Sequence, residues 1–213
     1  MVKKAIIELQ YMPPIPTIAA WYYFDEVIIE SYESFSKQSY RNRCEIYTAN
    51  SINNLIVPVQ QGNSNIKIRE IRIDNKQSWA KNHWRSILSA YGKAPFFEHY
   101  GSDLEEILNK KFQFLFDLNL EILSFLNKII NPNILLNFTE DYQKSYPEEF
   151  TDLRSLIHPK KRPFTLEFYQ TVEYIQVFGN QFVGDLSIID LIFCEGPNSE
   201  YILKNSIGPL KNN

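Results

Sequence analysis

The chain opens on an apolar, β-favouring run, Ala5 to Leu9, that stops at "QYMPPIP", where Pro13, Pro14 and Pro16 cannot continue a sheet. Behind the prolines, "TIAAWYYFDEV" has the length of a helix and "EVIIES" reads as a second strand. This order predicts an N-terminal β-α-β unit, which requires a parallel strand pair. Gln10 and Tyr11 fall at the end of the first strand, where open α/β sheets gather ligands.

Two extended runs follow between Ser39 and Val59, "SYRNRCEIYT" and "NNLIVPVQ", joined through "ANSI", with a third, "IKIREIRI", beyond "QGNSN". The period then changes. Trp84, Ile87, Leu88 and Tyr91 stand at helical spacing, with Ser78 placed to cap the start and Gly92 and Pro95 ending the stripe. A longer stripe through Leu104, Leu108, Leu115, Leu118, Ile122 and Phe125 predicts one continuous second helix. A capping box at Ser102 and Glu105 opens it and "NPN" at 131–133 stops it. Next, "ILLNF" reads as a buried strand and "PFTLEFYQTVEYIQVF" as strands turning at Gly179 and Asn180 into "QFV". A short helix, "LSIIDLIFCEG", and a fraying end, "GPLKNN", close the chain. The expectation is an α/β fold with a mixed sheet, built from the β-α-β unit, a β-rich block and two long helices. No repeat or linker divides it, so residues 1–213 are expected to form one domain.

Composition narrows the function classes. With 44% hydrophobic and 22% charged residues the chain is of globular type, not fibrous or disordered. A net charge of −3 argues against a general nucleic-acid binder and leaves room only for a local basic site. The densest apolar segment, "FQFLFDLNLEILSFLNKII", contains Asp117 and Glu121 and falls short of a membrane span. The N-terminus has no small-residue cleavage site, so a soluble, cytoplasmic protein is expected. Cys44 and Cys194 have neither metal nor disulfide spacing, and no metal site is expected. Nothing in the sequence identifies a cofactor.

The segment "KQSYRNRC", residues 37–44, is the richest in candidate chemistry. Strand alternation places Arg41, Arg43, Glu45 and Tyr47 on one face, with the two arginine backbones about 7 Å apart. Two adjacent guanidiniums suit a phosphate or carboxylate gripped from two directions. The plainer reading is a solvated strand face on which Glu45 neutralises one arginine. His83, one position off the helical stripe, is either a proton carrier or a core-edge histidine. Ser187 and Asp190 form either a catalytic pair or a capping box, and capping is the reading adopted. "HPKKR" is a basic cluster that attracts phosphate or simply faces solvent. Phosphate-loop, dinucleotide and nucleophile-elbow signatures are absent.

Several stretches, "LQYMPP", "DEVIIE", "KQSYRNRCEI", "IRIDNKQSWAKNHWRSILSAYGKAPFFEHY" and "LSIIDLIFCEGPN", together resemble the WbqC-like protein family, in the same order and over nearly the whole chain. Departures from the family pattern are the missing proline between Gln10 and Tyr11, Tyr40 near a tryptophan position, and Cys44 in place of an asparagine. The resemblance implies a place in gene clusters for O-antigen and related surface polysaccharides, with a glycine-transferase role proposed for some members. Matching positions nominate Gln10, Lys37, Asn42, Arg43, His83, Pro95, Phe96, Ser187 and Asp190, of which the last two and Pro95 and Phe96 also have structural explanations.

Two functions follow as expectations. In the first, a transferase places an aminoacyl or related acyl group on a nucleotide- or lipid-linked sugar. Lys37, Arg41 and Arg43 hold phosphate or carboxylate, Asn42 orients the acceptor, Gln10 adds a polar contact and His83 serves as general base. A version in which the β-α-β unit forms an adenylate lacks the paired histidines of such enzymes. In the second, the protein is a noncatalytic sugar-phosphate-binding or assembly protein of envelope biosynthesis, using the same residues for binding alone.

Overall fold

The computed structural model describes residues 2–61, 65–130, 135–179 and 181–208. The "NPN" stop, the Asn180 half of the turn, most of "QGNSN" and the last residues of the chain lie outside them. Strand β1 (Lys4–Glu8), helix α1 (Ile15–Tyr23) and strand β2 (Glu26–Glu30) form the N-terminal β-α-β unit, with Ile7 opposite Ile29 and Glu8 opposite Glu30 in parallel register. Pro14 caps α1 and Pro16 lies in its first turn, where the missing N–H has no helical partner to lose.

Among the described residues the antiparallel ladder is a separate hairpin, β3 (Arg43–Tyr47) with β4 (Ile52–Ile56), and further antiparallel contacts are isolated bridges. Two short late strands complete the parallel sheet: β5 (Asn137–Phe138) lies beside β2, and β6 (Phe150–Asp152) beside β1. The order β5-β2-β1-β6 puts β1 in the middle, with Ala5, Ile6 and Ile7 fully buried. Parallel and antiparallel pairs thus both occur, divided between two sheets.

Helices α2 (Trp79–Tyr91), α3 (Phe97–Asn109) and α4 (Leu115–Ile130) are followed by α5 (Ile188–Glu195) and α6 (Ser199–Asn205). The stripe that reads as one long helix is broken in two. Leu108 and Leu115 are seven residues apart, so their spacing survives an interruption between them. The interruption is real because Lys111 takes a left-handed φ of 52° and the backbone of 113–115 bonds to another segment: Ile73 N–H donates to Gln113 O, and Leu115 N–H to Ile71 O. Ser102 and Glu105 therefore sit inside α3 and cap nothing.

Two other strand expectations are corrected. "IKIREIRI" forms a 3-10 turn over Ile68–Glu70, in which Ile68 and Ile71 share the buried side at a three-residue spacing. The stretch 164–178 alternates in burial but has no ladder among the described residues, where its bridges are isolated ones, Leu166 to Tyr169 and Tyr169 to Ile207. Its place is held by side chains. The Gln176 amide both donates to Val183 O and accepts from Val183 N–H, acting as a surrogate strand.

Phe96 is accounted for by packing. Gly196 adopts φ 52° and ψ −124°, and a Cβ there meets the Phe96 ring in steric overlap. Gly196→Ala is expected to lower stability by about 2–4 kcal/mol, combining backbone strain and overpacking. Chemical denaturation checks this, and a loss below about 0.5 kcal/mol, the range of a neutral surface change, would refute it.

Candidate functional site

The C-terminal ends of β1 and β2 carry register partners of like charge, Glu8 and Glu30, exposed by only 2% and 0%. Opposed, buried carboxylates repel, and each must be met by a cation or by donors. The chain supplies two arginines from loops after the strands. Arg154, two residues beyond β6, donates to Glu30 Oε2 at 3.0 Å and forks onto Asp152 at 2.9 and 2.6 Å. Those hydrogen bonds, led by Asp152, hold its guanidinium above the ordinary arginine range. Glu30 also accepts from Tyr32 N–H, Thr139 Oγ1 and Tyr146 O–H, so both its oxygens are satisfied.

Arg41 serves the other carboxylate. Its Nε and Nη2 donate to the two oxygens of Glu33 at 2.6 and 2.5 Å, and its Nη1 lies 3.6 Å from Glu8 Oε1 without a hydrogen-bond partner. Glu8 in turn accepts from Gln10 Nε2 and Ser155 N–H, and Gln10 accepts from Thr17 Oγ1 of α1. Burial pushes the Glu33 carboxyl above its usual range despite the Arg41 fork. Gln10 and Arg41 are thus brought together, as part of the interior of the sheet end. Arg41 precedes β3 and is 1% exposed, so the strand-face pairing with Arg43 does not form.

The other nominated residues are dispersed. Lys37 is exposed in a turn. Asn42 donates to Val57 O, stitching the chain before β3 to the chain after β4. Arg43 is half buried, with Nε buried and unpartnered. His83 is 6% exposed: Nδ1 accepts from Tyr11 O–H at 2.9 Å, the Ile56 backbone engages the ring as well, and Trp79 stands edge-on at 5.2 Å. Burial pulls its pKa down to about 4, so the imidazole is neutral near pH 7. Ser187 Oγ donates to Met12 O and does not cap α5, while Asp190 accepts from Tyr91, Tyr174 and Gln176. The pair is not a capping box, and each of the two side chains is bonded to other partners. Three donors make Asp190 a structural junction between α2, α5 and the 174–176 strand surrogate.

On the outer side of β3, a cleft of about 560 Å³ is lined by Glu45, Pro159, Arg162, Thr171 and Asp185. Arg162 donates to Glu45 Oε2 and Gly184 O, each at 2.6 Å, and Tyr40 O–H donates to the same Glu45 oxygen at 2.8 Å. Asp185 accepts from Tyr169 O–H at 2.9 Å and Thr171 Oγ1 at 3.1 Å. It holds a φ of 59°, a conformation rare outside glycine and concentrated at functional sites. Burial and Glu45 raise the Tyr40 phenol, and burial and Asp185 raise that of Tyr169, so both remain O–H donors. A carboxylate pair, a guanidinium and phenol donors around one opening can orient hydroxyls, hold an anion and accept a proton.

The segment after β6 connects the two constructions. Ser155 bonds to Glu8 and His158 lies in the field of Arg41, while Pro159 and Arg162 of the same segment wall the cleft. A larger cavity of about 860 Å³ lies by Lys3, Lys4, Tyr23, Leu153 and Phe168, at the starting end of β1. It is lined mainly by apolar groups and stands at the wrong end of the strands for an open α/β sheet, so the cleft is the better site. Arg162 and Asp185 carry no sequence signal beyond a basic run and a Gly-Asp turn. Glu45 reads in sequence only as a neutraliser of arginine.

The fold and site define an α/β protein with its charged residues gathered at the C-terminal end of a parallel sheet. The family model of the WbqC-like protein family matches residues 10–158, and the chain belongs to that family. The uncharacterized protein Rv1507c of Mycobacterium tuberculosis (strain ATCC 25618 / H37Rv) is 32% identical over 145 residues, 67% of this chain and 62% of that protein. The chain therefore matches less than two thirds of that relative's length. No solved structure matches the chain. Among the described residues no helix is long and apolar enough to cross a membrane.

Proposed function

We propose that the cleft between β3 and the 159–163 segment binds a sugar-bearing ligand with an anionic group, and that the protein transfers an acyl or aminoacyl group to it. The observation that carries this reading is the convergence of Glu45, Arg162 and Asp185 on one opening of about 560 Å³, a size suited to a small molecule. Carboxylates recognise hydroxyls, and Arg162 supplies the planar fork that matches phosphate or carboxylate. Arg43, two residues before Glu45 on the same face of β3 and carrying a buried, orphaned Nε, lies outside the cleft wall, and we propose it as a second cation beside it. The proton of an attacking hydroxyl or amine passes to Glu45 or Asp185, as the acyl carbon forms its new bond and the activated donor's leaving group departs. This replaces His83 as the base, because His83 is walled into the core beside Tyr11. Lys37 and Asn42 are left with surface and structural roles. Membership of the family supports a place in O-antigen or related surface polysaccharide biosynthesis in the cytoplasm.

Mass spectrometry of the purified protein with nucleotide sugars, glycine and ATP tests transfer: an acceptor gaining the mass of a glycyl group supports it. Glu45→Gln and Asp185→Asn should abolish the gain. Arg43→Ala and Arg162→Ala should each weaken binding of a sugar phosphate by roughly 2 kcal/mol, the scale of a charged hydrogen bond. If sugar phosphate binds in the cleft and no mass transfer occurs with any donor, the noncatalytic binding or assembly role stands instead. Unchanged binding in both arginine variants would remove the cleft from consideration.

A further inference from the structure

We infer that the protein carries a second, separate anion site, built for a phosphate group, where the chain after β4, the turn before α2 and the α3–α4 break meet. A cavity of about 370 Å³ there is lined by Gln60, Arg72, Asn75, Lys76, Lys111 and Gln113, with no carboxylate in its wall. It shares no residue with the Glu45 cleft.

Three cations and no acid line this one concavity, as they do not in the Glu45 cleft. The chain's net charge is −3, and Lys4, Arg41, Lys110, Arg154, Arg162 and Lys204 all take carboxylate partners. Arg72, Lys76 and Lys111 take none among the described residues. The nearest acid in sequence, Asp74, is occupied: its oxygens accept from Lys76 N–H and Gln77 Nε2. Arg72 instead rests on the Phe114 ring at 5.1 Å, which fixes the guanidinium while leaving its N–H groups unpaired. Like charges gathered without an acid repel one another, and an anion between them removes that cost.

The cavity wall is a braced scaffold. Gln60 N–H donates to Arg72 O at 2.8 Å and its side chain to Ile73 O at 3.3 Å; Ile73 N–H donates to Gln113 O at 3.0 Å, and Asn75 Nδ2 to Phe112 O at 2.8 Å. The left-handed backbone at Lys111 breaks α3 from α4 and turns the chain so that Lys111 and Gln113 join the wall. Three cations and several amides in a small concavity suit a multiply charged, oxygen-rich group such as a phosphate monoester or diphosphate. None of the exposed large hydrophobic residues lines the cavity, which favours a soluble phosphate ester over a lipid headgroup.

Inorganic pyrophosphate is the probe, titrated into the full chain by calorimetry at low ionic strength and followed by backbone amide NMR. Binding should perturb the amides of Gln60, Ile73 and Gln113, weaken as salt is added, and persist in Arg162→Ala. Arg72→Gln with Lys76→Gln should weaken it at least ~10-fold, a clear loss on the affinity scale, with an unchanged melting temperature and unchanged behaviour of the Glu45 cleft. Sedimentation with phosphatidylglycerol vesicles, lost in the same double variant, would assign the phosphate to a lipid headgroup. Amide shifts confined to the Arg162 cleft, equal binding by the double variant, or no binding in either arm would overturn the site.

Discussion

Arg41→Ala should destabilise the protein by about 3–5 kcal/mol, the cost of leaving a buried partner charge uncompensated. Its guanidinium is the counter-ion of Glu33, which takes both of its forked hydrogen bonds, and it stands beside Glu8. Removal leaves two carboxylates, 6% and 2% exposed, with Glu30 next to Glu8 in register. Arg41→Lys keeps the charge and loses the fork, so an intermediate loss is expected. Adding Glu33→Gln to Arg41→Ala should recover part of the stability, because one orphaned charge is then gone. Lys37→Ala, four residues away in an exposed turn, should stay within about 0.5 kcal/mol. Urea denaturation curves measure all four. An Arg41→Ala loss under about 1 kcal/mol, typical of an exposed pair, would show that the network is solvated and not buried.

The second large effect is acid sensitivity from His83. Its folded pKa, pulled down to about 4 by burial, lies below the unfolded value near 6.5, so the unfolded chain binds the proton first. The contribution is fully present above about pH 6.5, is lost as pH falls through that value, and is gone near pH 4. The separation corresponds to roughly 3 kcal/mol at 1.36 kcal/mol per unit. Protonating Nδ1 would also destroy its acceptance of the Tyr11 hydroxyl hydrogen. His83→Gln should lose stability at neutral pH and depend less on pH between about 6.5 and 4, the difference between the two proteins isolating His83 from the other carboxyls. An NMR titration of the ring in the folded protein with a midpoint near 6.5 would contradict the buried, neutral assignment.

Both effects concern residues whose types were legible as chemistry and whose surroundings were not. "RNRC" shows two arginines separated by one asparagine, and strand alternation is the correct inference wherever the strand extends that far. Here β3 begins at Arg43, so Arg41 belongs to the preceding turn and is drawn to Glu33 and Glu8. Glu33 gave no signal in sequence, being one acid in a polar stretch. The helical pattern marked the position of His83 at the edge of the stripe. Its burial depends on Tyr11 and Ile56, which arrive from β1's end and from β4.

Local chemistry by itself determined the β-α-β unit, the two extended runs around "ANSI", and the helix stripes, because prolines, alternation and 3.6-residue spacing act over a few neighbours and needed no partner to be read. The resemblance of the chain's motifs pointed to the WbqC-like family, whose family model matches residues 10–158. Tertiary structure decided which extended runs became strands, since a ladder requires a second chain segment: 137–138 and 150–152 found the parallel sheet, whereas 164–178 is tied to the Val183 backbone by its own Gln176 side chain in place of a strand. It decided the helix break, through backbone bonds from 71–73 to 113–115. It decided the candidate cleft as well. Glu45, Arg162 and Asp185 come from positions up to 140 residues apart (185 − 45) and meet only because β3, the segment after β6 and the turn before α5 pack against one another.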